Sequence, residues 1–148
     1  MIRLLIPKEY DTWIEIAREV EPPFGPMINS KEFQDSIKNC IKRNSAYGID
    51  NENGKIVGIV ALDRGNNEIL WLAVKKKYRG NHYGDKLVKQ AIDELENNGD
   101  IFVQTFANGV LEGENVRILY TKHGFIDFKN AGKNPAGIET VIMIKRKR

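Results

Sequence analysis

Chemistry is most concentrated in the eleven residues Val74-Lys75-Lys76-Lys77-Tyr78-Arg79-Gly80-Asn81-His82-Tyr83-Gly84. They follow an apolar, strand-like run and precede a helical pattern. Glycines at a strand-to-helix turn let successive backbone N–H groups point into one concavity, and the helix N-terminus adds positive potential. Such a turn holds an anion and suits a pyrophosphate. Lys75, Lys76, Lys77 and Arg79 favour a polyanionic ligand. No Gly-Lys-Ser/Thr follows and the spacing is not G-x-G-x-x-G, so neither a P-loop nor a dinucleotide turn is present. The phosphates belong to another carrier. Taken alone, an ordinary basic loop that uses glycine for turning explains these residues equally well.

The elements around this loop follow from periodicity. Arg3 to Ile6 reads as a short strand stopped by Pro7. Tyr10, Trp13, Ile14, Ala17 and Val20 fall at helical spacing and predict a helix over 8–20. Pro22, Pro23 and Pro26 are expected to end it, because proline forbids an interior backbone bond. A second helix is expected from Asn29, with Glu32 three residues on, and with Phe33, Ile37, Cys40 and Ile41 as its buried stripe. Ala46 to Asp50 and Lys55 to Leu62 read as strands about the turn Asn51-Glu52-Asn53-Gly54, and Asp63 to Asn67 turns into a third strand, Glu68 to Val74. A helix over Asp85 to Asn97 ends at Gly99. Then come a strand at Ile101 to Phe106, a helix from about Glu114 to His123, and strands near Phe125 to Lys129 and Ile138 to Ile144. The order β-α-α-β-β-β-α-β-α-β-β predicts an α/β (α+β) domain, a mixed sheet covered by helices.

Composition sets the frame. The 148 residues suffice for one domain, 1–148, and are too few for two ordinary ones. Hydrophobic residues at 41% and charged ones at 29% are globular proportions. One cysteine, Cys40, excludes an internal disulfide framework, and with two histidines no metal site is expected. The longest apolar run, Ile56 to Leu62, cannot span a membrane, and Met1 to Pro7 lacks the pattern of a signal peptide, so a cytoplasmic location is expected. Net charge is +3, but the last four residues, 145–148, are all basic. They read as a solvated basic tail on a near-neutral body. A nucleic-acid partner is not expected, since no strand interleaves aromatic and basic residues.

A specific likeness now emerges. Leu72-x-Val74 followed by Tyr78-Arg79-Gly80-x-x-x-Gly84 resembles the acyl-coenzyme A motif of the GNAT superfamily of N-acetyltransferases. Leu119-Tyr120-Thr121-Lys122-His123-Gly124-Phe125 is similar to that superfamily's L-Y-x-K-x-G-F segment, and the element order fits its fold along nearly the whole chain. The resemblance implies a mixed, mostly antiparallel sheet of about seven strands flanked by about four helices. It also implies acetyl-CoA as co-substrate, with no metal. Arg79, Gly80, Asn81, His82, Tyr83, Gly84 and Asp85 would bind the pyrophosphate through backbone N–H groups. Leu72, Ala73 and Val74 would offer strand-edge hydrogen bonds to the pantetheine arm. This chain has His82 where the family carries a glycine, and histidine tolerates left-handed angles better than most residues. It has Gly113 where an asparagine is common, with Asn115 two residues away.

The same resemblance makes Tyr120 the donor of a proton to the leaving thiolate. Glu68, six residues before Val74, is the candidate base; on a regular strand 68, 70, 72 and 74 share a face. His123 reads as a helix-end residue, His82 as closer to phosphate than to chemistry, and Cys40 as core. The acceptor would enter opposite the coenzyme, between Pro22 to Met27 and Asn134 to Gly137. There Phe24 and Met27 supply apolar contact, while Glu19, Glu21 and Glu139 are candidates for attracting a cation. The implied activity is acetyl transfer to a primary amine of a small molecule or peptide. The alternative is a non-catalytic acyl-CoA-binding module of the same fold. An uncovered sheet edge near the C-terminal strands would suit a homodimer.

Overall fold

Central strands buried on both faces need unbroken apolar runs, and Ile56 to Leu62 is such a run. In the computed structural model, β3 (Ile56–Asp63) is buried along all but its last residue. The structure describes the backbone of residues 1–148 and every side chain except those of Phe24 and Glu112. Around β3 stand β1 (Ile2–Leu4), β2 (Ala46–Asp50), β4 (Glu68–Val74), β5 (Ile101–Phe106), β6 (Ile126–Lys133) and β7 (Glu139–Lys145). The helices are α1 (Tyr10–Phe24), α2 (Lys31–Lys42), α3 (Tyr83–Leu95) and α4 (Glu114–Lys122). The seven strands form one mixed sheet in the order β1-β2-β3-β4-β5-β7-β6. Only the β4–β5 pairing is parallel. Among the described residues no helix is long and apolar enough to cross a membrane.

Each face of the sheet has its own core. On one side Val60, Leu62 and Ile69 pack with Leu87, Val88, Ala91 and Leu95 of α3, and with Tyr120 and Phe125. On the other, Ile59, Ala61 and Ala73 pack with Trp13, Ile16 and Val20 of α1 and Ile37 and Ile41 of α2. The helical stripes read from the sequence are the faces packed here, with Tyr10, Ile14 and Phe33 half-buried.

Three expectations need correction. First, α1 does not stop before the prolines but runs through Pro22 and Pro23. Their missing N–H groups fall on the last turn, where only the carbonyls of Arg18 and Glu19 lose an intrahelical donor. Gly25 ends the helix instead, with φ +97° and its N–H donating to the Glu21 carbonyl at 2.6 Å. Second, α2 is capped by Ser30 and not Asn29: the Ser30 hydroxyl accepts from the Phe33 N–H at 3.3 Å. Third, the exposed basic tail is 146–148 and not 145–148. Lys145 pairs with Ile101 at the end of β7. The Lys147 N–H donates to Asp100 Oδ1 at 2.7 Å and its ammonium to the Asn97 carbonyl at 3.1 Å.

Because Ile59 is fully buried under α1 and α2, Ile59→Ala removes three carbons from a close-packed site. It is expected to destabilise the fold by about 2–5 kcal/mol. Urea denaturation checks this as a lower midpoint at an unchanged slope.

Candidate functional site

The site originates in a register fault. Ala61 pairs with Trp71 but Leu62 pairs with Ile69, so Leu70 is an extra residue bulged out of β4. The parallel pairing with β5 consists of Glu68 with Phe102 and Ile69 with Val103, and then the strands part. Beyond the bulge, β4 is paired through Val74 on its β3 side only. The backbone edge of β4 at Leu72 therefore opens into the gap between β4 and β5, and the Val74 carbonyl accepts from Arg79 Nε at 3.1 Å. A cavity of about 980 Å³ fills this gap and continues to the N-terminus of α3.

That helix start has the geometry of an anion cradle. Gly80 and the N-cap residue His82 are left-handed, with φ +84° and φ +66°. Lys86 makes the first intrahelical bond, to the His82 carbonyl at 3.1 Å. The N–H groups of Tyr83, Gly84 and Asp85 thus precede any helical acceptor. Arg79, Gly80, His82, Tyr83, Gly84 and Asp85 line the cavity; Asn81 does not. The Asn81 amide instead closes the turn, donating to the carbonyls of Tyr78 (3.1 Å) and Arg79 (3.4 Å). Of the four cations expected here, Lys76 and Arg79 line the cavity. Lys75 pairs with Glu15 at 3.3 Å, and Lys77 sits over the Tyr78 ring.

Tyr120 reaches the cavity from α4. Its ring packs edge-on against Phe125, with centroids 5.5 Å apart. Burial pushes its phenol well above the usual tyrosine value.

Glu68 is not among the lining residues. The Leu70 bulge reverses the alternation of β4, so Glu68, opposite Asp63, falls on the α1/α2 face, away from Leu72 and Val74. The shared face expected for residues 68, 70, 72 and 74 does not exist. Burial, and then the neighbouring Asp63 charge, raise the Glu68 pKa.

The opposite wall comes from α1 and the turn between β6 and β7. Val20, Pro22, Pro23, Met27, Trp71 and Asn134 line it. The Asn134 amide donates to the Pro23 carbonyl at 2.9 Å. A Cβ on Gly25 would stand 2.7 Å from Pro135 Cβ, so glycine permits this close approach. Phe24, expected on this wall, lies outside the described residues. Two of the expected cation-attracting carboxylates are engaged with backbone. Glu19 accepts from the Lys76 N–H at 2.8 Å, and Glu21 from the N–H groups of Met27 (2.6 Å) and Ile28 (3.1 Å). Glu139 does not line the cavity.

Residues 11–125 match the model of the Acetyltransferase (GNAT) family. The chain belongs to this family. It is 29% identical to an uncharacterized N-acetyltransferase of Methanocaldococcus jannaschii, over 99% of this chain and 92% of that one. The fold is similar to that of the PaiA N-acetyltransferase of Thermoplasma acidophilum in complex with coenzyme A, with TM-score 0.71, 21% identity, and 99% and 98% of the two chains covered. It is similar also to Ard1 of Thermoplasma volcanium, with TM-score 0.78, 17% identity, and 100% and 97% covered.

Within this GNAT domain, Gly113 and Asn115 have separate explanations. A Cβ at Gly113 would collide with the Phe106 side chain, whereas Asn115 lines the cavity. Sequence reading missed Gln104, Thr105 and Thr140, all cavity-lining. The available signal was a Gln-Thr pair inside the otherwise apolar run Ile101 to Phe106.

Asp85 places an acid at an anion cradle, and two neighbours compensate it. His123 Nε2 lies 2.8 Å and Lys122 Nζ 3.1 Å from Asp85 Oδ1. The His123 hydrogen bond, and then that of Lys122, hold the Asp85 carboxyl below its ordinary value. A depressed carboxyl stabilises the fold above its unfolded pKa of about 3.9, and that contribution is lost as pH falls through the lower folded value. Asp85→Asn should therefore lower the melting temperature at neutral pH, and the deficit should shrink as pH falls toward about 3. Calorimetric scans across that range test the sign.

Proposed function

We propose that the protein moves an acetyl group from acetyl-CoA directly to a primary amine of a small molecule or peptide. One observation carries this reading. The open edge of β4, the left-handed turn before α3, and the Tyr120 phenol all border one cavity. Its lining fits coenzyme A in kind: N–H groups at a helix start for the phosphates and a strand edge not paired with β5 for a peptide-like arm. Arg79, Gly80, His82, Tyr83, Gly84 and Asp85 hold the diphosphate, with Asn81 shaping the turn. Leu72, Ala73 and Val74 hold the pantetheine. The bound co-substrate supplies an activated thioester carbonyl.

Tyr120 Oη gives a hydrogen bond to the departing sulfur. Reference values of about 10 for tyrosine and about 8.5 for a thiol already make complete transfer of its proton uphill, and burial widens the gap. Tyr120 therefore keeps its proton and acts as a donor. The proton that the nitrogen gives up on forming the amide passes to solvent, and the departing thiolate takes one from solvent, so that coenzyme A leaves as the free thiol. Direct transfer is supported by the position of Cys40, buried in the α1/α2 core and not among the residues lining the cavity. Glu68 takes no part in this scheme, since it lies on the other side of the bulge.

Tyr120→Phe keeps the ring packing and removes the donor. Turnover, read as free thiol against a panel of amines, should fall at least about tenfold. Coenzyme A affinity, measured by calorimetry, should stay near that of the wild type. Tight coenzyme binding by the wild type without turnover on any amine would overturn the proposal in favour of a binding module.

A further inference from the structure

Gln104 stands where β5 separates from β4, one residue beyond the last pairing of Ile69 with Val103. Val103 points into the α3/α4 core, so alternation sends Gln104 to the face of α1. It is exposed there and lines the cavity. Its neighbour across the ladder decides how its amide is turned. The Thr140 hydroxyl donates to the Gly132 carbonyl at 2.8 Å. A hydroxyl has one proton, so toward Gln104 the Thr140 oxygen acts only as an acceptor. Gln104 must present its NH₂, and Nε2 lies 3.1 Å from Thr140 Oγ1. The flip of the amide is thereby set by hydrogen-bond logic. Its carbonyl Oε1 is the remaining limb, and no donor among the described residues reaches it.

The geometry points to Gln104 Oε1 as the group that receives an N–H of the acceptor amine, with Thr140 as the residue that positions it. This rests on the acetyl-transfer reading above. A carbonyl suits the task better than a carboxylate. An attacking amine needs its lone pair, and a carboxylate beside it would favour the protonated form and raise the amine's pKa. A neutral amide oxygen accepts an N–H with far less of that penalty. The acceptor recognised here is therefore a primary amine taken up neutral, its nitrogen held at the fork of β4 and β5. Thr140 is 5% exposed and does not itself touch the amine in this scheme; it acts through the orientation of Gln104.

The test uses the full chain with acetyl-CoA and three amines: propylamine, spermidine and a glycyl tripeptide amide. Gln104→Leu should lower kcat/KM for whichever amine the wild type acetylates by at least about tenfold, while calorimetric affinity for coenzyme A holds. Gln104→Glu, of nearly equal size, should move the acidic limb of the kcat profile, which reports groups in the substrate complex, to higher pH. Thr140→Val, free to lose the amide orientation, should fall in the same direction as Gln104→Leu, and Thr140→Ser should recover. A merely structural Thr140 would not shift kcat/KM while leaving coenzyme affinity and melting temperature in place. Wild-type turnover in Gln104→Leu, or an unmoved pH limb in Gln104→Glu, overturns the assignment of Gln104 alone. A wild type that binds coenzyme A but acetylates none of the three overturns the acetyl-transfer reading and this inference together.

Discussion

Two parallel strands stay together only while their backbone groups face one another, and β4 and β5 meet at just two residue pairs. The extra residue Leu70 bends β4 there and raises its local twist. Everything in the site depends on that break. Were the ladder to continue, the backbone groups of β4 that face away from β3 would be bonded to β5 and the gap would close. Because it stops, buried backbone polar groups border a space that a peptide-like chain can satisfy, which a closed sheet never offers. The break is affordable because both strands are anchored elsewhere: β4 by its long antiparallel pairing with β3 and β5 by its full ladder with β7.

Most of the fold was legible because it rests on periodic burial. Val88, Ala91, Ile92 and Leu95 mark a helix by spacing alone, and β2, β4 and β5 begin and end at the residues their turn signals suggest. What escaped has a common physical origin: it depends on contacts between segments distant in sequence. Residues 22 and 23 look like helix breakers, yet two prolines in a final turn remove few bonds, and the terminator is Gly25 pressed against Pro135. Glu68 looked like a face-mate of Leu72 because strand alternation is regular until a bulge interrupts it, and nothing in Glu68-Ile69-Leu70-Trp71 announces the bulge. Gln104 and Thr140 are 36 residues apart, and only the β5–β7 register joins them. The turn before α3 was readable because its requirement is local, glycine and a left-handed residue before a helix.

The charge balance at that turn is the least expected feature of the cavity. A helix N-terminus attracts anions, and Asp85 in its first turn would by the same rule occupy the field otherwise open to an anion. Its carboxylate is drawn instead to the end of α4, where Lys122 and His123 meet it. The side chain is thus spent on joining α3 to α4, while its backbone N–H remains at the cradle. Gly84 serves the same junction, since a Cβ there would stand 3.2 Å from Leu119. The helix that follows the glycine turn and the helix carrying Tyr120 are consequently fixed to each other by one ion-pair cluster and one close approach.

This coupling bears on the donor role proposed for Tyr120. A hydrogen-bond donor is useful only if its position does not drift, because the bond prefers an angle above about 150° and weakens steeply below about 120°. Tyr120 is held by Phe125 on one side and by the α3 core around it, so its phenol has little freedom. The same enclosure that raises its pKa fixes its direction. An acid strong enough to protonate a thiolate outright would need solvent or a cation beside it, and either would loosen the packing or screen the field. Burial therefore trades acid strength for placement, and an enclosed tyrosine is the side chain best suited to that exchange: apolar over most of its surface, with one proton at its tip.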